Sequence, residues 1–289
     1  MERIITSLLE TDMYKFSMGQ AIYHKFPSYV TTWDFKCRNE DVKFTHDMVE
    51  EIRAQVKAYC SLSFTEDELE YLRGIEWIKR DYVDFLRLWH PRFEEFSIKE
   101  TGEGCGLSIE TSGTWMNTSF YEIPTLAIVN EVYFRTSHDY DTLFKSFIER
   151  ADKKIQSLVD GTYTLGTFSE FGLRRRLSAE AQELATKKII EAQKTKGFKE
   201  SKFIGTSNVY LAKKLGDEKF ANEVLEACKL AAKCQFSLFN CEEYTFSHQN
   251  PARSLNGIRF KNTRQWVRVD SVQHVACFFI RLYWAENKI

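Results

Sequence analysis

Residues 202–216 read KFIGTSNVYLAKKLG. Lys202, Phe203 and Ile204 make a short strand, and Gly205, Thr206, Ser207 and Asn208 a small polar loop. A helix then runs to Leu215, with Gly216 as its C-terminal stop. Working upstream, Ser178 caps a helix whose apolar stripe is Ala181, Leu184, Ala185, Ile189 and Ala192. Before it, a loop through 168–170 leads into 171–176, and a helix over 144–159 ends at Gly161. Strand, loop and helix alternating in this way predict a parallel sheet, with ligands at the loops that leave the strand C-terminal ends. Downstream, a further helix is expected over 217–233, with the stripe Phe220, Ala221, Val224, Leu225, Cys228, Ala231 and Ala232. From 235 to 289 short aromatic runs mix with basic residues, and no further repeat of the unit is visible.

The N-terminal part has a different rhythm. Helical spacing at Met13, Phe16, Ala21 and His24 runs until Pro27. The stripe Tyr29, Thr31, Trp33, Phe35, Cys37 alternates with polar residues and predicts a half-buried strand. Helices are expected over 46–59 and 66–75, the second opened by Thr65 and an acidic first turn, and strands over 96–116. Pro124 is expected as the first residue of a helix through Ala127, Asn130 and Phe134. The fold class is therefore α/β: an N-terminal α+β domain over 1–140, then part of an α/β barrel over 141–233, then a tail over 234–289.

With 289 residues, 43% apolar and 28% charged, the chain can build a substantial core and is not of disordered composition. Lys+Arg 40 against Asp+Glu 41 leaves no basic excess for nucleic acid. Seven cysteines, an odd number with no Cys-x-x-Cys pair, argue against a metal knuckle or a secreted disulfide framework. No stretch reads as a signal peptide or a membrane span, so a soluble cytoplasmic protein is expected. The six histidines are scattered and lack metal-ligand spacing. Dinucleotide, P-loop and nucleophile-elbow motifs are all missing.

Three short constellations could bear chemistry. Thr11–Asp12–Met13–Tyr14–Lys15 sets an acid, an aromatic ring and an ammonium at a helix start; the plainer reading is a capped helix with surface charges. In 168–176, FSEFGLRRR, Gly172 permits close backbone approach, Phe171 could stack on a flat ring, and three guanidinium groups could fork onto phosphate or carboxylate. The alternative there is a solvated charge run. Gly205–Asn208 could cradle phosphate with backbone N–H groups, or be a simple turn.

In order along the chain, LLETDMYKFSM (8–18), YEIPTLAIV (121–129), FSEFGLRRR (168–176) and FIGTSNVYLAKKLG (203–216) resemble nicotinate phosphoribosyltransferases over about residues 3–216. The resemblance implies transfer of ribose 5-phosphate from phosphoribosyl pyrophosphate to the ring nitrogen of nicotinate. The product is nicotinate mononucleotide on the salvage route to NAD, with ATP hydrolysis coupled to the step. It further implies a small α/β domain plus an irregular α/β barrel of the type II phosphoribosyltransferase kind, in a homodimer with shared active sites.

By that resemblance Tyr14 from one subunit and Phe171 from the other would sandwich the pyridine ring. Asp12 would help place its edge, Arg174 would meet the anionic groups, and Ser207 and Asn208 would line the floor. Mg²⁺ would bridge the pyrophosphate oxygens; no protein metal site is expected. The family's ATP-phosphorylated histidine has no counterpart, because no His stands between His138 and His248, so no catalytic residue is assigned. Residues 141–289 are too few for a complete eight-fold barrel, which takes about 250, so an incomplete barrel is expected. A second reading is a non-catalytic relative that binds ligand or pairs with a full-length partner.

Overall fold

A computed structural model describes residues 2–216, 259–261 and 264–267. The chain divides into two units, Met1–Phe220 and Ala221–Ile289. The helix expected over 217–233 and most of the region from 235 onward lie outside the described residues. Of the second unit, β6 (Arg259–Lys261) and β7 (Arg264–Val267) form an antiparallel pair in which Lys261 faces Arg264.

The first unit opens with a short irregular segment, then α1 (Met13–Lys25), β1 (Val30–Asp34), α2 (His46–Cys60), α3 (Glu66–Arg73) and α4 (Arg80–Leu88). β2 (Phe96–Glu100) and β3 (Leu107–Thr114) complete a three-stranded antiparallel sheet, order β1-β3-β2. The helix starts follow side-chain chemistry. Thr65 and Glu68 form a reciprocal capping box on α3, and Thr45 accepts from Met48 N at the start of α2. β1 is shorter than the alternating stripe 29–37 suggests. Its Thr31 and Trp33 are half-buried, while Tyr29 and Val30 are exposed.

α5 (Trp115–Ser137) is the central element, packed against α1, α2 and the sheet. Phe120 meets the fully buried Phe16 of α1 edge to face, centroids 5.4 Å apart. Each such ring contributes about 1.5–3 kcal/mol by leaving water. Pro124 does not start this helix; it lies inside it. A proline there has no N–H to offer the carbonyl four residues earlier, that of Phe120. Tyr59 of α2 takes over, its hydroxyl donating to the Phe120 oxygen at 3.2 Å. A tertiary hydrogen bond thus removes the need for a helix end at Pro124.

The remaining elements are α6 (Tyr140–Asp160), β4 (Gly166–Glu170), α7 (Ala179–Thr195), β5 (Ser201–Thr206) and α8 (Val209–Lys214). Gly161 ends α6 with φ +80°, a backbone that favours glycine. The loop expected over 168–170 is instead strand β4, which pairs in parallel with β5, Phe168 opposite Phe203. That pairing joins segments far apart in sequence, so local reading misses it. α7 spans the crossover. Ser178 caps it as expected, accepting from Ala181 N at 3.1 Å. Its Gln193 clamps Phe203 of β5, donating to the carbonyl at 2.8 Å and accepting from the N–H at 2.5 Å. The buried face differs from the apolar stripe. Ala181 and Ala192 are buried with Gln182 and Thr186, while Leu184, Ala185 and Ile189 are only partly covered. Among the described residues no helix is long and apolar enough to cross a membrane.

Candidate active site

The three sequence constellations meet at the C-terminal ends of β4 and β5. The N-terminal segment is laid along the loop after β5. Met13 N donates to Ser207 O at 2.8 Å, Val209 N to Thr11 O at 3.1 Å, and Asp12 and Asn208 form an isolated antiparallel bridge. On the other side Ser207 N donates to Glu170 O at 2.9 Å, at the end of β4. These bonds place Tyr14, two residues past Asp12, against Phe171, one residue past β4. The rings lie 14° from parallel with centroids 6.1 Å apart.

Within this chain the two rings come to the same place. The cause is the backbone pairing just described, which delivers both segments to the same loop. A flat ring between two others needs about 7 Å, so a guest enters by a small displacement. Phe171, 51% exposed, has room to make it.

Asp12 occupies the position before α1 but caps no helix N–H, so the capped-helix reading fails. Its Oδ1 accepts from Ser207 Oγ at 2.6 Å, while Oδ2 is buried without a hydrogen-bond partner. Burial raises the Asp12 pKa; the Ser207 hydrogen bond and the charge of Arg174 pull it back, and Glu170 adds to the rise.

Lys15, buried beside Tyr14 with Nζ 5.3 Å from the ring centroid, bonds Glu122 Oε2 at 2.7 Å. Arg174 Nη1 reaches the other oxygen of the same carboxylate at 3.0 Å. Burial alone would raise the Glu122 pKa, but the charges and hydrogen bonds of Lys15 and Arg174 outweigh it, so the pKa is lowered and the group stays ionised. The slot is therefore flanked by two cations and three carboxylates, those of Asp12, Glu122 and Glu170.

The three consecutive arginines do not act together, which corrects their reading as one anion fork. Arg174 lies at the site. Arg175 is exposed. Arg176 is buried and structural: Nη1 bonds Glu10 Oε2 at 2.7 Å, Nη2 the Ile4 carbonyl at 2.8 Å, and Nε lies 3.5 Å from Glu131 Oε2. The Leu173–Arg175 turn advances the chain so that neighbouring side chains point apart.

The loop at 205–208 is not an open phosphate cradle either. Asn208 N donates to Thr206 Oγ1 at 3.1 Å, and Tyr210 N to Leu9 O at 2.9 Å. With Ser207 N and Val209 N held as above, the amides from 207 to 210 are occupied. Ser207 positions Asp12. Asn208 caps α8 through Oδ1 and donates to Gln182 Oε1 at 3.2 Å. Both support the site from beneath.

Glu122 and Glu170 were not singled out from sequence. Glu170 gathers Gln182 Nε2 at 2.9 Å, Thr206 Oγ1 at 2.6 Å and Gly172 N at 2.5 Å, fixing the turn that presents Phe171. No local pattern marks either residue, because their partners come from distant segments. Among the described residues no group of three or more His, Cys, Asp or Glu could hold a metal ion.

Residues 9–130 match the family model described as nicotinate phosphoribosyltransferase (NAPRTase) N-terminal domain, and residues 167–243 the model of the nicotinate phosphoribosyltransferase (NAPRTase) family. A nicotinate phosphoribosyltransferase of Cupriavidus necator is 40% identical over 235 residues, covering 78% of this chain and 57% of that protein. One from Ralstonia nicotianae is 40% identical over 232 residues, with the same coverage of 78% and 57%. The crystal structure of nicotinate phosphoribosyltransferase from Porphyromonas gingivalis superposes with a TM-score of 0.63 at 32% identity, covering 74% of this chain and 52% of that one. The chain thus spans little more than half the length of the relatives it matches.

Proposed function

This chain belongs to the nicotinate phosphoribosyltransferase family, and from that premise we propose that its site joins nicotinate to phosphoribosyl pyrophosphate, giving nicotinate mononucleotide and pyrophosphate. The observation that supports the reading is the near-parallel Tyr14–Phe171 pair with Arg174 and Lys15 beside it. Such a slot suits a flat, anionic heterocycle: ring faces stack and a guanidinium meets the carboxylate.

The reaction needs no strong base. The ring nitrogen's lone pair forms the bond to C1 of the ribose, the C1–O bond to pyrophosphate breaks, and the pair leaves with the pyrophosphate. Positioning and charge stabilisation supply the rate. Tyr14 and Phe171 hold the ring plane, Arg174 holds the carboxylate, and Asp12 offers negative charge where the ring becomes a pyridinium.

In this reading Mg²⁺ arrives on the pyrophosphate oxygens, as hard cations prefer oxygen ligands. ATP is left out of the step, since no His stands between His138 and His248 to take a phosphoryl group. The proposal includes a cytoplasmic homodimer in which the second copy covers the open side of the slot, where Phe171 is half exposed.

The test is incubation of the full chain with nicotinate, phosphoribosyl pyrophosphate and Mg²⁺, with and without ATP. The reading expects nicotinate mononucleotide and pyrophosphate in equal amounts, unstimulated by ATP. No product at high protein concentration overturns it. The lack of a His between His138 and His248 favours one alternative, a ligand-binding relative without turnover. Calorimetric binding of nicotinate without product would identify that case.

A further inference from the structure

We infer that Glu122 is a positioning residue that sets the site's preference for a carboxylate over an uncharged ligand, by holding Arg174 and Lys15 each on a separate oxygen. The inference rests on the nicotinate reading and adds to it a residue that contacts no substrate. Glu122 lies on α5, two residues before Pro124, on a helix fixed by the buried core. Lys15 sits at 2.7 Å on Oε2 and Arg174 at 3.0 Å on Oε1. Arg174 comes from the turn after β4, and Lys15 from the first turn of α1. One carboxylate therefore joins the two segments that carry the two stacked rings.

The geometry of the Arg174 contact matters. Only Nη1 is engaged with Glu122, and the Arg174 side chain is 36% exposed. Its backbone is also fixed, the carbonyl accepting from Asn130 Nδ2 at 2.8 Å. A guanidinium carries five N–H donors in a rigid fork. Pinning one nitrogen orients the remainder, and a ligand carboxylate is offered a set direction rather than a mobile charge. On the other side Lys15 is 4% exposed. A buried ammonium needs a paired anion, and through Lys15 the same carboxylate holds the charge lying over the Tyr14 ring.

A charge-only view gives the opposite expectation. Glu122 is an anion beside a site for an anion, so removing it should tighten nicotinate binding. The positioning view predicts that binding weakens, and selectively. Nicotinate depends on the aim of Arg174, whereas uncharged nicotinamide depends on stacking.

The experiment measures calorimetric binding of nicotinate and of nicotinamide to the full chain, unaltered and as Glu122→Gln and Glu122→Asp. We expect Glu122→Gln to weaken nicotinate about tenfold or more, the scale of a lost charge-assisted hydrogen bond, with nicotinamide changed far less. Glu122→Asp, too short to reach both cations, should fall between. If Glu122→Gln does not unfold cooperatively, Lys15→Met with Glu122→Leu removes both buried charges and must show the same loss of selectivity. Equal or tighter nicotinate binding, or equal losses for both ligands, overturns the inference. Failure of the unaltered chain to bind nicotinate is a separate result that removes the substrate reading itself.

Discussion

Tyr59 donates a 3.2 Å hydrogen bond to the carbonyl of Phe120, the acceptor that Pro124, four residues on, leaves without its helical partner. Both side chains are buried. Tyr59→Phe therefore strands a buried carbonyl and should cost about 1–3 kcal/mol in urea unfolding. Pro124→Ala restores an N–H at that position. Placed on the Tyr59→Phe background it should recover part of the loss, so the double-mutant cycle gives a coupling energy distinct from zero. Additive effects would mean that the two residues do not share this carbonyl.

Arg175 and Arg176 are adjacent and chemically identical, yet only one is built into the interior. The Arg176 side chain is 2% exposed between Glu10 and Glu131, which are 3% and 2% exposed. Removing it leaves two buried carboxylates short of their counter-charge. Arg176→Met should destabilise by about 3–5 kcal/mol. Arg175→Ala, on the exposed side, should change stability by no more than about 0.5 kcal/mol. Thermal unfolding of the two variants side by side checks the contrast.

What the sequence makes legible here is local, and what it hides is tertiary. Thr65 with Glu68, Ser178, and Gly161 mark helix ends through bonds spanning a few residues, and the structure keeps each of them. The two rings of the slot are legible because each sits in a distinctive short motif. Pro124 misleads because the donor that excuses it is Tyr59, on another helix. Residues 168–170 lack strand periodicity because their pairing partner is Phe203, across α7. Glu122 is invisible for the same reason. Its partners are Lys15 and Arg174, far away on either side, and nothing in the tripeptide Tyr121–Glu122–Ile123 shows that two cations will converge on it.

Asp12 links stability to pH. Its carboxyl has a raised pKa in the folded chain, so between the unfolded value, about 3.9, and the folded one, the native state holds more protons than the unfolded state. Stability then falls as pH rises through that window, and the penalty persists at neutral pH. Asp12→Asn removes the ionisation. It should be more stable than the parent at pH 7, with the difference shrinking as pH falls through that window and gone below about 4. It should also bind nicotinate less well, a trade expected where a site holds a costly buried charge. Denaturant titrations at several pH values give the first result and calorimetry the second. A stability gap that widens toward low pH would contradict the assignment.

Phe171 separates ligand recognition from folding most cleanly. Its ring is 51% exposed and, among the described residues, stacks on Tyr14 alone, and the turn that presents it is fixed by Glu170 and Gly172 rather than by the ring. Phe171→Ala should therefore cost at most about 1.5 kcal/mol of stability, the upper worth of an aromatic pair. Stacking lost from one face of a bound pyridine is of similar size, which corresponds to roughly tenfold weaker nicotinate binding. Phe171→Tyr preserves the stacking surface and should bind as the parent does. If Phe171→Ala binds nicotinate unchanged while unfolding normally, the ring is not recognised between Tyr14 and Phe171, and Arg174 would have to meet its anion elsewhere on the loop.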